Sequence, residues 1–300
     1  MCTFAFMNAQ AKTIRTVIAP PAFHWVGDGF KVKSMFGGLS FTADISPFLM
    51  MDYGGLVTFP PTDKKLGVGQ HPHRGFETVT IVYEGEVEHG DSVGNRGTIG
   101  PGEVQWMTAA SGIVHEEFHG RDFAKRGGAF EMVQLWVNLP AKDKMSPPRY
   151  QPLNRAQIEE VSLGGGGTAR LIAGDMEESG DTVRGAALTF TAMNVWDLRL
   201  PAQSKNTLAI PNGHGGGVLV LRGRVQIAGT EVGAERFAVM SREGGDLVIE
   251  ALEEATVLLL SGEPIDEPIV AHGPFVMNTA QEIQTAFEDY RMGRMGRVTI

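Results

Sequence analysis

The chain has 300 residues, a mass of 32.4 kDa and a formal net charge of -9, with a pI near 5.4. Its length allows one large or two medium domains with a full hydrophobic core, and its acidity argues against direct nucleic-acid binding, which relies on clustered Lys and Arg. The single cysteine, Cys2, excludes an internal disulfide framework and a cysteine-based zinc cluster, and it fits a reducing cytoplasm.

The first residues give no targeting signal. Residues 1–13 lack the basic stretch and apolar core that direct secretion. No segment approaches the ~18 consecutive apolar residues that are needed to span a bilayer. We therefore expect a cytoplasmic protein that does not insert into membranes.

Short apolar runs separated by glycine dominate the sequence, which contains 39 glycines. Short strands that alternate with turn signals are typical of a β-sandwich or β-barrel, so we predict an all-β protein. In chain order the predicted strands are 76–83, 85–89, 97–99, 103–108, 130–138, 170–173, 188–193, 195–200, 208–211, 217–221, 225–227, 236–240, 247–250 and 255–261.

One helix is predicted near the C-terminus, over 279–291. Thr279 or Asn278 can serve as its N-cap, and Glu282 stands three residues after Thr279, as in a capping box. Apolar residues then recur at helical spacing.

A Lys- and Pro-rich stretch followed by four glycines divides the chain. It predicts an N-terminal domain over 1–139, an interdomain linker over 140–167 and a C-terminal domain over 168–300. Both halves contain an apolar strand, a Gly-containing turn and another apolar strand in the same order, around Gly85 and Gly223. This repetition predicts a duplicated β-barrel.

Two short motifs in the first half have the spacing of metal ligands. They are His71-Pro72-His73 and His115-Glu116-Glu117. Because a two-residue step along a β-strand returns the side chain to the same face, His71 and His73 can bind one ion, as can His115 and Glu117. Three imidazoles and a carboxylate suit iron, manganese, nickel, copper or zinc better than magnesium or calcium.

The alternative is that the histidine spacing has no function. Eight histidines in the chain can fall two apart by chance, and such a pair can be solvated or structurally hydrogen-bonded. The apolar, β-rich sequence beside each motif favours a metal, because an unpaired polar cluster is costly to bury. The second half has only His214 near the corresponding position, so we expect its role to be structural or to shape a pocket.

Three longer segments resemble the pirin family of bicupins, in the same order and over about residues 31–294. They are His71-Pro-His-Arg-Gly-Phe-Glu-Thr-Val-Thr, Pro101-Gly-Glu-Val-Gln-Trp-Met-Thr-Ala-Ala-Ser-Gly-Ile-Val-His-Glu-Glu and Gly262-Glu-Pro-Ile-Asp-Glu-Pro-Ile-Val-Ala-His-Gly-Pro-Phe-Val-Met-Asn-Thr. The resemblance implies two stacked cupin (jelly-roll) β-barrels, with one mononuclear metal, usually iron, in the N-terminal barrel. It also implies that the metal ligands are His71, His73, His115 and Glu117.

The resemblance leaves the function divided. Some pirins resemble quercetin 2,3-dioxygenases, which open a flavonol with loss of carbon monoxide, and others act through protein partners as redox-responsive transcription or metabolic cofactors. We expect an Fe2+ protein, with Mn, Ni, Cu or Zn as alternatives, that uses O2 on a small aromatic, flavonol-like substrate. Glu117 is the expected catalytic base for the substrate hydroxyl.

Two other functions stay open from the sequence. One is a metal-dependent regulatory protein that binds a protein partner without turnover. The other is a bicupin that keeps its metal only for stability.

Four further residues near the ligand motifs have two interpretations each. Glu77 is expected to support a ligand histidine and not to bind the metal itself. Trp106, Met107 and Phe76 are expected to belong to the core, with lining of the metal cavity as the alternative.

Other polar residues are predicted to lie outside the site. Arg74 and Gly75 are expected in a turn or at a rim, and His89 and His119 on the surface or in loops. His272 is expected in a C-terminal segment that docks against the barrel.

Overall fold

The computed structural model describes residues 11–38 and 42–299. Cys2 lies outside the described residues. The first half contains the strands β1 Ile14–Ile18, β2 His24–Val26, β3 Phe30–Phe36, β4 Phe48–Phe59, β5 Gly67–His73, β6 Phe76–Glu84, β7 Val87–Asp91, β8 Arg96–Ile99, β9 Val104–Thr108, β10 Ile113–His119, β11 Gly128–Asn138 and β12 Arg149–Leu153.

The second half also consists mainly of short strands. It contains the strands β13 Glu160–Ser162, β14 Thr168–Ala173, β15 Asp175–Glu178, β16 Asp181–Arg184, β17 Met193–Leu200, β18 Lys205–Ala209, β19 Gly215–Arg222, β20 Arg224–Ile227, β21 Thr230–Gly233, β22 Arg236–Met240, β23 Asp246–Ala251, β24 Ala255–Gly262, β25 Val270–His272 and β26 Phe275–Met277.

Helices are few. The α-helices are α1 Thr42–Ile45, α2 Arg121–Arg126 and α3 Ala280–Arg291, and short 3-10 turns cover Ala141–Asp143 and Arg155–Gln157. The predicted C-terminal helix is confirmed, with a capping box between Thr279 and Glu282. Among the described residues, no helix is long and apolar enough to cross a membrane.

Each half forms a barrel from a large and a small antiparallel sheet. In the first, a seven-stranded sheet in the order β12-β9-β6-β11-β4-β3-β2 faces a four-stranded sheet, β5-β10-β7-β8. In the second, the orders are β1-β22-β19-β24-β17-β14-β13 and β18-β23-β20-β21. The predicted all-β bicupin fold is therefore confirmed.

The two large sheets pack against each other through a shared core. Val79, Ile81 and Trp106 of the first barrel belong to one buried cluster with Leu219 and Phe237 of the second. Burial of each such side chain contributes about 1.5–3 kcal/mol. Since the side chains of a strand alternate between its faces, the even-numbered residues of β6, such as Thr78 and Thr80, point into the first barrel.

Strand pairing crosses the predicted domain boundaries. β1 pairs with β22 of the second barrel, although it lies within 1–139. The predicted linker 140–167 contains β12, which pairs with β9 of the first barrel, and β13, which pairs with β14 of the second. The boundaries themselves stay a prediction, but two strands within the predicted linker belong to the sheets of the two barrels.

The prediction of a strand over 188–193 is wrong, since only Met193 lies in one. The backbone N–H and carbonyl of Leu188 bond to the side chain of Gln151, and its carbonyl also accepts from Arg149. Side chains of β12 thus satisfy this backbone where a neighbouring strand would otherwise do so. Leu188 itself is 66% exposed.

Candidate metal centre

The two predicted ligand motifs lie on adjacent strands of the small sheet. His115 on β10 is directly opposite His71 on β5, and Ile113 is opposite His73. On the other side of β10, Glu117 is opposite His89 of β7. The structure therefore brings together motifs that are more than forty residues apart in the chain.

His71, His73 and His115 form one group whose candidate ligand atoms all lie within 4.8 Å of one another. Nδ1 of His71 lies 2.8 Å from the carbonyl oxygen of Gly69, and Nδ1 of His73 lies 3.3 Å from that of Pro274. A carbonyl only accepts hydrogen bonds, so each Nδ1 must carry the proton and each Nε2 keeps a free lone pair. These contacts fix the ring tautomers that a metal requires.

His115 is fully buried, and neither of its ring nitrogens has a hydrogen-bond partner among the described residues. Burial is the main reason why its pKa lies well below the ordinary value. Burial, followed by the neighbouring His71, lowers the pKa of His73 to about 3. Both rings are therefore neutral near pH 7, and the unpartnered nitrogens of His115 fit the lone-pair donor that a transition metal needs.

Glu117 belongs to a second group, with His115 and His89, whose candidate ligand atoms also lie within 4.8 Å of one another. Its Oε1 accepts from the Thr80 hydroxyl and the Gln105 amide, each at 3.2 Å, and its Oε2 accepts from the Gln134 amide at 2.9 Å. Both oxygens of the buried carboxylate therefore have hydrogen-bond donors within the protein. Glutamine amides that support a carboxylate have no characteristic spacing in the sequence, so Gln105 and Gln134 could not be selected before the structure was known.

The prediction that His89 is a surface or loop histidine is wrong. His89 lies in β7 and is 1% exposed, with Nε2 at 3.3 Å from Asp91 and Nδ1 at 3.2 Å from the Gln105 amide. Asp91 only accepts and the Gln105 amide donates, so His89 is protonated on Nε2 alone. Both ring nitrogens are occupied, and His89 thus orients Gln105 behind Glu117.

The prediction for His119 is also wrong. β10 continues to His119, which is 3% exposed, and its Nε2 lies 2.8 Å from the carbonyl oxygen of Gly29. Its ring packs against Phe59, Phe123 and Phe130. His119 is therefore a core residue of the barrel.

Glu77 does not face the metal ligands, contrary to the prediction that it supports one of them. It is fully buried, accepts a hydrogen bond from Thr108 at 2.7 Å and lies 3.8 Å from Arg149. Gly75, at φ 89°, forms a turn between His73 and β6, so the alternation of faces does not continue from one strand to the next. Glu77 instead shares the face of Val79, toward the second barrel.

Of the three predicted core residues, Trp106 and Met107 do not line the cavity beside the histidines. Trp106 lies in the core between the barrels, and Met107, on the opposite face of β9, packs in a small cluster with Tyr150. Phe76 does contact the site, with its ring 5.1 Å from that of His73 and 4.3 Å from that of Trp136.

Arg74 is buried and joins three segments, so it is more than a rim residue. Its Nε donates to the carbonyl oxygen of Ser111 at 2.6 Å, and its Nη2 lies 2.9 Å from Asp289 of α3. The backbone of Arg74 also bridges to Phe275 of β26. β25, β26 and α3 form the C-terminal segment, which follows the second barrel. That segment places His272 on the exposed strand β25, next to the ring of Phe287.

A cavity of about 370 Å³ opens onto the histidines. Volumes of about 300–1,000 Å³ are typical of sites for small molecules. A larger and more open groove of about 680 Å³ on the outside of the barrel is lined mainly by charged residues and is less suited to an apolar ligand. The 370 Å³ cavity is lined by Val26, Phe30, Val32, Ser34, Met50, Asp52, Val68, His71, His73, Glu117, Met132, Gln134, Trp136, Gly273 and Pro274.

The second barrel contains no comparable group of ligands among the described residues. His214 is 8% exposed, and its carbonyl oxygen accepts from the Lys12 ammonium at 3.1 Å.

Comparison with known proteins agrees with the fold. The family model described as Pirin matches residues 29–137, and the one described as Pirin C-terminal cupin domain matches 195–296. A Pseudomonas aeruginosa protein named "Putative quercetin 2,3-dioxygenase" is 52% identical over 91% of this chain and 95% of its own. Rat Pirin is 35% identical over 90% of this chain and 89% of its own.

A solved structure extends the similarity to three dimensions. The crystal structure of quercetin 2,3-dioxygenase from Acinetobacter baumannii superposes with a TM-score of 0.90 at 45% identity and covers 96% of this chain and 100% of its own. Two family models together match more than half of the chain, in the order that the two barrels follow. The chain therefore belongs to the pirin family.

Proposed function

We propose that this protein is a mononuclear iron dioxygenase of the quercetin 2,3-dioxygenase type, with His71, His73, His115 and Glu117 as metal ligands. One observation carries the proposal: three imidazoles converge beside a carboxylate at a largely apolar cavity. The names of the relatives support a flavonol as the substrate and O2 as the co-substrate. The lone cysteine supports a reducing, cytoplasmic location.

The donor set suits Fe2+, and also Mn, Ni, Cu or Zn. Four protein ligands leave room at a six-coordinate ion for two further groups. When bound, the ion would lower the pKa of a coordinated enol hydroxyl and supply the redox chemistry for O2. The overall reaction adds both oxygen atoms of O2 to the flavonol and releases carbon monoxide.

The protein's own residues would bind and orient the flavonol and remove one proton from it. Glu117 is the proposed base, because its Oε2 accepts one hydrogen bond whereas its Oε1 accepts two. Apolar side chains such as Val32, Met132 and Trp136 would exclude water from the reacting ring.

The test is anaerobic reconstitution with iron(II), followed by measurement of O2 uptake and of quercetin absorbance. Turnover that requires the metal and disappears in His115→Ala and in Glu117→Ala supports the proposal. Stoichiometric iron binding without consumption of O2 or quercetin would contradict it. That result would favour the metal-dependent regulatory protein, and a pull-down would then identify the protein partner.

A further inference from the structure

A row of polar side chains crosses the large sheet of the first barrel. Each member is directly opposite the next on the neighbouring strand, so all of them lie on one face. From β3 to β9 the row consists of Ser34, Asp52, Gln134, Thr80 and Gln105. We refer to these five residues as the polar row.

The two ends of the polar row have different partners. Gln134, Thr80 and Gln105 donate to Glu117, so this end belongs to the proposed metal centre. Asp52 and Ser34 lie in the cavity wall, one strand and two strands beyond Gln134, respectively. Strands are spaced by about 4.8 Å, so Asp52 lies beside the centre without being part of it.

Asp52 is a buried carboxyl group that contacts the cavity. It is 8% exposed, and the Ser34 hydroxyl donates to its Oδ1 at 2.5 Å. Within residues 11–38 and 42–299, Ser34 is its hydrogen-bond donor, which leaves Oδ2 as the acceptor for a ligand. A buried carboxyl group is costly unless a donor satisfies each of its oxygens.

The charges of the cavity restrict the ligands that it can hold. Among the described residues, no lysine or arginine lines it, and the nearby Arg74 turns away toward Ser111 and Asp289. A ligand with a second negative charge, such as a dicarboxylate, would meet Asp52 without a compensating cation. A neutral ring that carries a hydroxyl group would instead donate to it.

We infer that Asp52 is a specificity-determining residue that accepts a hydrogen bond from a hydroxyl on the part of the ligand remote from the metal. The ligand class is a polyhydroxylated aromatic that is neutral away from its chelating group. This inference rests on the proposed function, since it assumes that the ligand binds at the metal centre. The hydrogen bond to Asp52 would be a second point of attachment, in addition to the metal, and would distinguish ligands that share the same chelating group.

The experiment compares two ligands that differ in hydroxyl groups remote from the chelating pair. Quercetin and 3-hydroxyflavone are titrated under nitrogen into nickel(II)-loaded protein, and binding is followed by flavonol absorbance. For Asp52→Ala we expect about 10-fold weaker quercetin binding and little change for 3-hydroxyflavone, because only quercetin carries the remote hydroxyl groups that can donate to Asp52. Asp52→Asn keeps an acceptor and the side-chain shape, so its loss should be smaller.

The matched control is Met50→Leu, which changes an apolar part of the same wall on the same strand. It should affect both ligands alike. Equal weakening of both ligands by Asp52→Ala, or no weakening of quercetin, would overturn the inference.

The experiment separates this inference from the proposed function. Discrimination that depends on Asp52, together with no O2 uptake by the iron-loaded protein, would support the inference and contradict the oxygenase. If the iron-loaded protein turns over quercetin and Asp52→Ala changes neither turnover nor the discrimination between the two ligands, the oxygenase would be supported and the inference contradicted. Failure of both ligands to bind the wild-type, nickel-loaded protein would contradict both proposals.

Discussion

At the scale of single residues, the carboxylate of Glu117 depends on neutral neighbours. The Gln105 amide donates to Glu117 and to His89, while its Oε1 accepts from the Tyr150 hydroxyl at 3.3 Å. Asp91 accepts a hydrogen bond from Nε2 of His89 and so fixes the ring proton on that nitrogen. Hydrogen bonds from His89 and Asn95 outweigh the effect of burial and lower the pKa of Asp91, which keeps its carboxylate an acceptor. The orientation of Gln105 is therefore determined from three sides.

We expect Gln105→Leu to weaken nickel(II) binding by about 10-fold, because groups that orient metal ligands typically contribute 10- to 100-fold to affinity. Competition with a chromophoric chelator measures the affinity. Tyr150→Phe removes only the hydroxyl that holds Oε1 of Gln105, so it should have a smaller effect in the same direction. Unchanged affinity in Gln105→Leu would show that Glu117 does not need this amide.

Glu77 gives a prediction about pH that is independent of the metal. Burial raises its pKa to about 7, and the Thr108 hydrogen bond and the charge of Arg149 offset this only in part. The folded protein binds the proton more tightly than the unfolded chain does, whose Glu has its ordinary pKa of 4.5. The stabilising contribution is therefore complete below pH 4.5 and is lost as the pH rises through 7.

Glu77→Gln imitates the protonated side chain and should remove this loss. Relative to the wild type, its free energy of unfolding should rise by about 3 kcal/mol between pH 4.5 and 7.5. Urea denaturation of both metal-free proteins across this range measures the difference, in which other titrating groups cancel. A constant difference would mean that Glu77 is ionised throughout.

At the scale of secondary-structure elements, the C-terminal segment completes the surroundings of the first barrel's site. Pro274 accepts from the His73 ring, and the buried Lys144 ammonium donates to the carbonyl oxygens of Gly75 and Val276. The ion pair between Arg74 and Asp289 joins α3 to the turn after β5. The segment that follows the second barrel therefore holds the ligand strand of the first.

We expect Asp289→Asn to lower the free energy of unfolding by about 2 kcal/mol, because it leaves the buried Arg74 without its counter-ion. Arg294→Gln is the matched control, since it removes the exposed partner of the same carboxylate at 2.6 Å. An exposed ion pair contributes 0–1 kcal/mol, so this control should be nearly neutral. Thermal denaturation measures both variants, and equal effects would contradict a special role for Arg74.

At the scale of the whole molecule, buried polar contacts reinforce the core between the barrels. Asp197 of the second barrel is fully buried, pairs with Arg170 and accepts from the Tyr83 hydroxyl of the first barrel at 3.2 Å. β1, from the N-terminal part of the chain, pairs with β22 in the large sheet of the second barrel and adds a further connection. The barrels therefore share both apolar and polar contacts.

We expect calorimetry to show one unfolding transition for both barrels. If one barrel unfolded alone, the buried face of the other barrel's large sheet would be exposed to water. Asp197→Ala should lower the transition temperature of the whole chain and not that of the second barrel alone. Two well-separated transitions in the wild type would show that the barrels fold independently.

The sequence predicts that the residues of each candidate ligand motif lie on one strand face, because their spacing depends on one local rule, the alternation of faces along a strand. His71 with His73, and His115 with Glu117, each lie within one strand, so this rule applies. It fails for Glu77, which lies beyond the turn at Gly75. It also cannot find the polar row, because that depends on the register of five separate strands.

The fold shows the same limit. Apolar runs and glycine turns identify most strands of both barrels, and the capping box identifies α3. The position of β1 in the second sheet and of β12 in the first is set by pairing between distant segments. Local sequence does not encode such pairing directly.

The most direct test of the central claim is the metal content of the purified chain after loading with iron(II) or nickel(II) and removal of excess ion. We predict one ion per chain in the wild type and in His119→Ala, and almost none in His115→Ala. Glu117→Gln should bind the ion more weakly. One ion that persists in His115→Ala, or no bound ion in the wild type, would contradict the account.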